Sequence, residues 1–535
     1  VFFRALNMDR HTAQVPAPGS AADGGIAESG TFATEPKRDP ERIEAAALRR
    51  IAVRGGAYVI ASRLVIQLFS WVVTIETARL LLPYDYGVLS ATTIFSNLAD
   101  ILASGGVGKA LVQKPVVDDD DLAASFTFNL MLSSIIYLVL CVCAGAAARA
   151  VRTPELVLAL PVVGLVLLLI PFRAVPFAIL ERRLQLKRMA TIGVLSTIIQ
   201  GCLVLALAFS GWGYWALIVG YMVPIFLEVP VLAWQARWLP RLRWPGGWSN
   251  PLVSFGAQYT GGRFCSFVYR SADYAVVGRL LGPIALGYYS LAFMLISLPV
   301  EKIVGTCNVV AFPIFCRLAD DRERIRDWYL RLGILFGFLA APALVGLALV
   351  ADDAILVVLG AKWGPAVLPL RIMSLAGIMM VLGNTIEILF NAVGRPDVNF
   401  RFTAISVAVF APLFYLSAYW LGITGVALVW LICYPIMILF LFGSTRSITG
   451  IGVRDIIDSQ LPIWASVVFM GLLVLATRYF LRDFRAVPVR LGISILVGAC
   501  GYAAAIRVLA WESVMGNVRL TWRELRSPKV VLDGA

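Results

Sequence analysis

The sequence predicts an all-α, polytopic membrane protein of about fourteen transmembrane helices, in two parallel-repeat lobes of six plus two C-terminal helices. Three observations predict it: composition, the length of the apolar runs, and an internal repeat. The chain has 535 residues, 59% of them hydrophobic and only 15% charged, with a mean hydropathy of +0.82. Soluble domains are about 45–50% apolar and about 25% charged. Runs such as 156–172 and 494–506 carry no charge at all. Stretches of this kind cross a bilayer as helices, because a helix satisfies its backbone hydrogen bonds within one segment. No ten-residue alternating strands of the β-barrel type occur.

Residues 1–55 form a polar, basic stretch expected to be disordered. ERIEAAALRRIAVR (41–54) reads either as an amphipathic helix on the membrane surface or as a simple lead-in to the first span. The opening VFFRAL is too short for a signal-peptide core, and Met8 is a candidate start. Spans are expected near 57–81, 88–112, 122–147, 155–180, 190–210, 213–236, 252–281, 286–312, 330–351, 364–393, 402–420, 424–445, 461–481 and 489–510. These group as an N-lobe (56–245), a C-lobe (246–446) and a final pair of helices with a tail (447–535).

The net charge of +13 would suggest nucleic acid in a soluble protein. Here the basic residues sit between the spans. With the N-terminus inside, and residues near span ends counted with the adjoining loop, 31 of the 46 Lys and Arg fall on the cytoplasmic side, 9 fall outside and 6 lie within spans. This is the positive-inside pattern, and it places both termini in the cytoplasm. The last outside loop runs against the rule, with Arg478, Arg482, Arg485 and Arg490.

ARLLLPYDYGVLSA (78–91) matches GRLLGPIALGYYSL (278–291) at a shift of 200 residues, with Arg79/Arg279, Pro83/Pro283, Gly87/Gly287 and Ser90/Ser290 coincident. Arg63 and Arg263 coincide at the same shift. GWGYWAL (211–217) pairs with GITGVAL (422–428) at 211, and Arg182 and Arg188 meet Arg395 and Arg401 at 213. Six crossings per repeat keep both halves in one orientation. Such bundles enclose a central cavity and give alternating access by rocking.

Motifs for catalysis are absent. No Walker loop, HExxH or serine elbow occurs, so neither an ATPase nor a hydrolase is expected. Of eight cysteines, seven lie within predicted spans, and Cys141-x-Cys143 lacks a second ligand pair. The one histidine, His11, is in the tail. No metal or cofactor is expected. The run Asp118–Asp121 is read as a solvated loop rather than a Mg²⁺ site. Trp212, Tyr214 and Trp215 suit the interfacial aromatic belt as well as sugar stacking.

The segment 78–91, the glycine-rich GGVGKALVQK (105–114) and FAILERRLQLKRMA (177–190) resemble the polysaccharide exporters of the Wzx flippase type, in the polysaccharide transporter family of the MOP exporter superfamily. The likeness runs from about Ala57 to Arg446. It implies a V-shaped, MATE-like fold of two six-helix lobes. It further implies flipping of an undecaprenyl-pyrophosphate-linked oligosaccharide across the bacterial inner membrane, for O-antigen, capsule or exopolysaccharide synthesis. A polysaccharide polymerase and a chain-length regulator are the implied partners. The alternatives are a MOP-type exporter of another cargo, such as a drug or cation antiporter or a peptidoglycan-precursor flippase, and a membrane polysaccharide polymerase.

Charges within spans cost about 2.5–3.5 kcal/mol each on insertion scales, so they face a cavity or a partner. Given the implied substrate, Arg63, Arg263 and Arg270 are candidates for a cationic pyrophosphate patch, with Arg173 and Arg371 as further members. The competing reading has these arginines neutralised by nearby carboxylates, or snorkelling. Glu76, Asp100 and Asp273 are candidate carriers of a coupling ion. Arg79 and Arg279 are read as helix-end residues that cap terminal carbonyls or anchor at the interface.

Overall fold

The computed structural model describes residues 66–67, 69–106, 111, 117–183, 185–243, 250–319 and 321–526. The N-terminal stretch, His11 and Arg63 lie outside these residues. Among the described residues the structure is helical throughout, joined by turns and two 3₁₀ segments, with no strand.

The first helix, α1, is described over 69–80. There follow α2 (Pro83–Ser104), α3 (Asp119–Ala150), α4 (Leu156–Arg182, with a 3₁₀ stretch at Leu165–Leu169), α5 (Leu186–Phe209) and α6 (Tyr214–Ala236). The second set is α7 (250–281), α8 (283–317), α9 (Arg322–Val358), α10 (Val367–Ala392), α11 (396–421) and α12 (423–449). Then come α13 (Val453–Phe480), α14 (Val487–Leu509) and α15 (Trp511–Arg526). Eleven helical segments are long and apolar enough to cross a membrane. Two of them divide at a glycine, Gly282 (φ +80°) and Gly422 (φ +61°). Divided there, the eleven segments make thirteen helices at the places of the expected spans 2–14, and α1 overlaps the expected first span. Only glycine enters this left-handed region at little cost, so each break falls where the sequence left a gap between spans.

Local chemistry explains the helix starts. Pro83 occupies the first turn of α2, where its missing N–H costs nothing, and Asp85 accepts from the Leu82 N–H at 2.8 Å. Asp118 accepts from the Asp121 N–H at 2.7 Å and opens α3, while Asp120 pairs with Arg243. The acidic run is therefore a helix cap with an ion-pair partner, not a bare loop.

The repeat is visible as a reciprocal contact. A Cβ added at Gly87 would overlap the Pro283 carbonyl, and one added at Gly287 would overlap the Pro83 carbonyl. Contact of i with j′ and of i′ with j is the signature of a twofold relation between two copies of one motif. The second match needs a change of register. Gly213 (φ +55°, ψ −136°) and Gly422 (φ +61°, ψ −147°) share one backbone conformation just before α6 and α12. The structural equivalence is thus Gly213 with Gly422, two residues from the pairing of Gly211 with Gly422. Gly, Ala and Leu are too common in membrane helices to fix that register alone.

The last two helices are fastened to α9. Asp352 pairs with Arg371 (2.7 Å) and Arg478 (2.6 Å), and Asp353 with Arg478 (3.6 Å) and Arg490. Asp353 is 2% exposed. Tyr502 adds a bond to the Phe338 carbonyl at 2.9 Å. Two of the four arginines that broke the charge rule are therefore neutralised within the protein, and Arg482 pairs with Asp483 at 3.4 Å. Beyond α14 the segment expected as a tail is helical over Trp511–Arg526. Val514 and Ala510 are buried, and Arg507 lies 4.5 Å from the Trp511 ring centroid.

Candidate substrate cavity

Two cavities line up along α2 and α7. The larger, about 430 Å³, is walled by α2, α7, α8, α10, α11 and α12. Its lining is aromatic and amide-rich: Tyr269, Tyr274, Phe402, Trp430 and Tyr434 stand with Asn97, Asn384 and Asn399. The charged residues on its wall are Arg270, Glu301 and Glu387. Asn399 is held in place by the Glu387 carbonyl (2.9 Å) and the Asn391 side chain (3.0 Å). The smaller cavity, about 300 Å³, is lined by Asp100, Ser104, Arg173, Phe177, Glu181 and Arg263.

The two are successive along the chain. Asn97 lines the first and Asp100 the second, on one face of α2. On α7, Arg263 lines the second and Ser266 the first. A spacing of three residues is one helical turn, so the cavities follow each other along the same two helices, one from each repeat.

The expected site residues divide into three groups. Arg263 and Asp100 line the smaller cavity together with Arg173, whose guanidinium lies 3.5 Å from Glu228 of α6. Arg270 lines the larger one. Arg371 lines neither cavity: its position early in α10 puts its guanidinium on Asp352, in the cluster that fastens α13 and α14. Glu76 also lines neither and pairs with Arg79 at 3.4 Å near the end of α1. Asp273 is fully buried behind the larger cavity. One of its oxygens accepts from Tyr289 (2.6 Å) and Trp430 (3.1 Å), and the other from the Tyr274 N–H (2.9 Å).

Donors thus surround Asp273. A carboxylate in such a shell is anchored as an acceptor and has little lone-pair capacity left for a cation. It holds together an aromatic cluster in which Trp430 packs edge-on to Tyr269 and Phe410 and tilted against Phe414 and Tyr434. The charges of the smaller cavity are balanced on its wall, two arginines against Asp100 and Glu181. Among the described residues no group of three or more His, Cys, Asp or Glu has metal-binding geometry.

Sequence reading missed the neutral part of the lining. Asn97 and Asn384 are amides in hydrophobic spans, and that rarity was the available signal, whereas Asn399 falls in a connection between expected spans. Their convergence on one wall depends on the rotation of each helix, which periodicity does not give in a span that is apolar all round.

Comparison with known proteins agrees with this architecture. The family described as polysaccharide biosynthesis protein matches residues 77–368. The lipopolysaccharide biosynthesis protein WzxC of Escherichia coli K12 is 25% identical over 395 residues, covering 73% of this chain and 80% of its own. A lipid II flippase MurJ structure in an inward closed conformation superposes with a TM-score of 0.71 at 15% identity, covering 85% of this chain and 99% of its own. An inward-facing multidrug resistance MATE family transporter of the MOP superfamily gives 0.57 at 13%, covering 72% and 96%. At these identities the structural likenesses establish the fold. With more than half of its length matched by the family model, the chain belongs to the polysaccharide biosynthesis protein family, and its fold is the one shared by the flippase and MATE structures.

Proposed function

We propose that the protein flips an undecaprenyl-pyrophosphate-linked oligosaccharide from the cytoplasmic to the periplasmic leaflet of the bacterial inner membrane by alternating access. The observation that carries this reading is the pair of successive cavities between the repeats. One has arginines on its wall, and the next is aromatic and amide-lined. A diphosphate needs donors in fixed forks, which guanidinium groups supply. Sugar rings need flat apolar faces for their C–H surfaces and neutral donors and acceptors for their hydroxyls.

In this reading Arg263 and Arg173 receive the diphosphate at the cytoplasmic end, and Arg63, outside the described residues, is the repeat partner of Arg263. The first sugars then lie against Trp430, Tyr434 and Tyr269, with Arg270 one turn beyond Ser266 on the same wall. Asp100 is the coupling residue. Ionised, it competes with the diphosphate for the two arginines; neutralised by a proton or cation, it frees them. Asp273 and Glu76 serve the scaffold. The excess of basic residues on one set of loops supports two cytoplasmic termini. A polymerase and a chain-length regulator would act on the product in the outer leaflet.

Deletion of the gene tests the reading. Lipid-linked oligosaccharide should accumulate on the cytoplasmic face and the surface glycan should be lost; Arg263→Ala should do the same while the protein stays in the membrane. Normal glycan with an unchanged lipid-linked pool would refute it. One observation favours another MOP-type cargo: the larger cavity carries two glutamates against one arginine among its described lining residues. That charge suits a cation, and extrusion of a cationic dye by wild type, lost in Glu387→Gln, would support this second reading.

A further inference from the structure

The basic residues at the Pro83 and Gly282 end of the helices form a reciprocal set. Arg79, at the end of α1, donates to the Val358 carbonyl (2.7 Å) and the Val357 carbonyl (3.0 Å), the last two of α9. Its repeat partner Arg279, at the end of α7, donates to the Arg149 and Ala150 carbonyls (3.1 and 3.2 Å), the last two of α3. Helices α3 and α9 are the third members of their repeats. An offset of 208 residues takes Arg149 to Val357 and Ala150 to Val358. Each arginine therefore caps the C-terminus of the equivalent helix in the opposite repeat.

A second pair follows the same symmetry. Lys362, in the turn after α9, donates to the Arg79 and Leu81 carbonyls at the end of α1 (2.6 and 2.7 Å). Arg152, in the turn after α3, donates to the Leu280 carbonyl at the end of α7 (3.4 Å). Trp363 adds a buried bond to the Ala78 carbonyl at 2.9 Å. The last carbonyls of a helix lack partners within it and carry the negative end of its dipole. A cation from the other bundle satisfies both needs. The Gly87/Pro283 and Gly287/Pro83 contacts lie between these two pairs.

We infer that Arg79, Arg279, Arg152 and Lys362 form a symmetric latch that holds the two repeats together at this end, and that the latch releases when the transporter opens there. Every one of these bonds joins one repeat to the other, so rocking the repeats apart breaks all of them at once. Every acceptor is a main-chain carbonyl at a helix end, which water can take over when the seam opens, so release leaves no buried charge unpaired. A static brace between moving bundles would not permit alternating access. By the charge rule this end faces the periplasm, which makes the latch the outer gate. The inference rests on alternating access, not on which cargo is carried.

The test measures the gate directly. Trp212, before α6, and Trp420, near the end of α11, are both exposed at this end, one in each repeat. Genetically encoded ketone side chains at these two positions accept spin labels without touching the native cysteines, and pulsed electron spin resonance then reads their separation in the full-length purified protein. Wild type should give one dominant short distance. Arg79→Ala and Arg279→Ala should each raise a longer, gate-open population about two- to fivefold, and together by about the product. Should an alanine variant fail to accumulate, Arg79→Gln and Arg279→Gln are read the same way. A separation unchanged in the folded variants overturns the latch even if their melting temperatures fall, because that is the behaviour of a static brace. Failure here leaves the glycan result of the deletion strain intact, so the two ideas fall separately.

Discussion

Replacing Gly87 with alanine places a methyl group on the Pro283 carbonyl, which is main chain and has no rotamer to retreat into. Gly87 is helical and buried, so alanine suits its backbone, and on propensity alone the change would stabilise by about 1 kcal/mol. The contact decides the sign. To restore ordinary van der Waals separation, α2 and α8 must part by more than about 1 Å. That loosens the buried neighbours Tyr86, Ala91, Leu286 and Tyr289. Overpacking of this kind costs about 1–3 kcal/mol, so the net effect is destabilising. The twofold relation makes the prediction sharper, since Gly287→Ala meets the Pro83 carbonyl in the same way and should cost the same. Gly145→Ala in α3, with nothing within 4 Å of the added carbon, is the control and should be neutral or stabilising. Thermal denaturation of the three purified variants in one detergent provides the comparison. If Gly87→Ala melts with Gly145→Ala, or if the Gly87 and Gly287 variants differ widely, the reciprocal seam is wrong.

Four further outcomes follow from the same structure. Asp353→Asn removes the 2%-exposed carboxylate that holds Arg478 and Arg490; it should cost about 3 kcal/mol and make the 481–486 turn sensitive to protease, whereas wild-type melting would exclude the fastening role. Asp273→Asn turns an amide NH₂ toward the Tyr289 or Trp430 donors and should destabilise by about 1–3 kcal/mol; a stable variant that loses only ion dependence would return Asp273 to the coupling role. Asp100→Asn should retain substrate binding but lose the dependence of export on the coupling ion, and unchanged ion dependence would remove Asp100 from the mechanism. Asn97→Leu should lower glycan export about tenfold with normal membrane levels, and full export would take Asn97 off the substrate path.

Hydropathy makes the crossings legible because apolar length alone defines a span, and Gly282 and Gly422 break the two long segments inside the gaps left for them. The offset of 200 residues marks the seam in the amino-acid sequence itself, since Arg79, Pro83 and Gly87 are residues whose chemistry cannot be swapped there. The offset of 208 between the ends of α3 and α9 is invisible in the sequence: what repeats at those positions is a pair of free carbonyls, and any residue can supply them. For the same reason the sequence marks Arg79 and Arg279 as caps without identifying the helices they cap. The ion pair of Arg371 was not legible because a charge in a span signals a partner without naming it, and Asp352 lies in the last two turns of α9. The helix Trp511–Arg526 was missed although Trp511, Val514 and Met515 recur at helical spacing, because the basic residues around them read as a topology signal.

The central claim, that a lipid-linked glycan passes through the two cavities, is tested most directly by the sidedness of that lipid. Inverted membrane vesicles loaded on their outer, cytoplasmic face with undecaprenyl-pyrophosphate oligosaccharide are probed for glycan that has become protected from an added glycosidase. Vesicles containing the protein should protect the glycan with time, and those containing Arg263→Ala should protect it at least about tenfold more slowly. Equal protection by wild type, by Arg263→Ala and by vesicles lacking the protein would contradict the account.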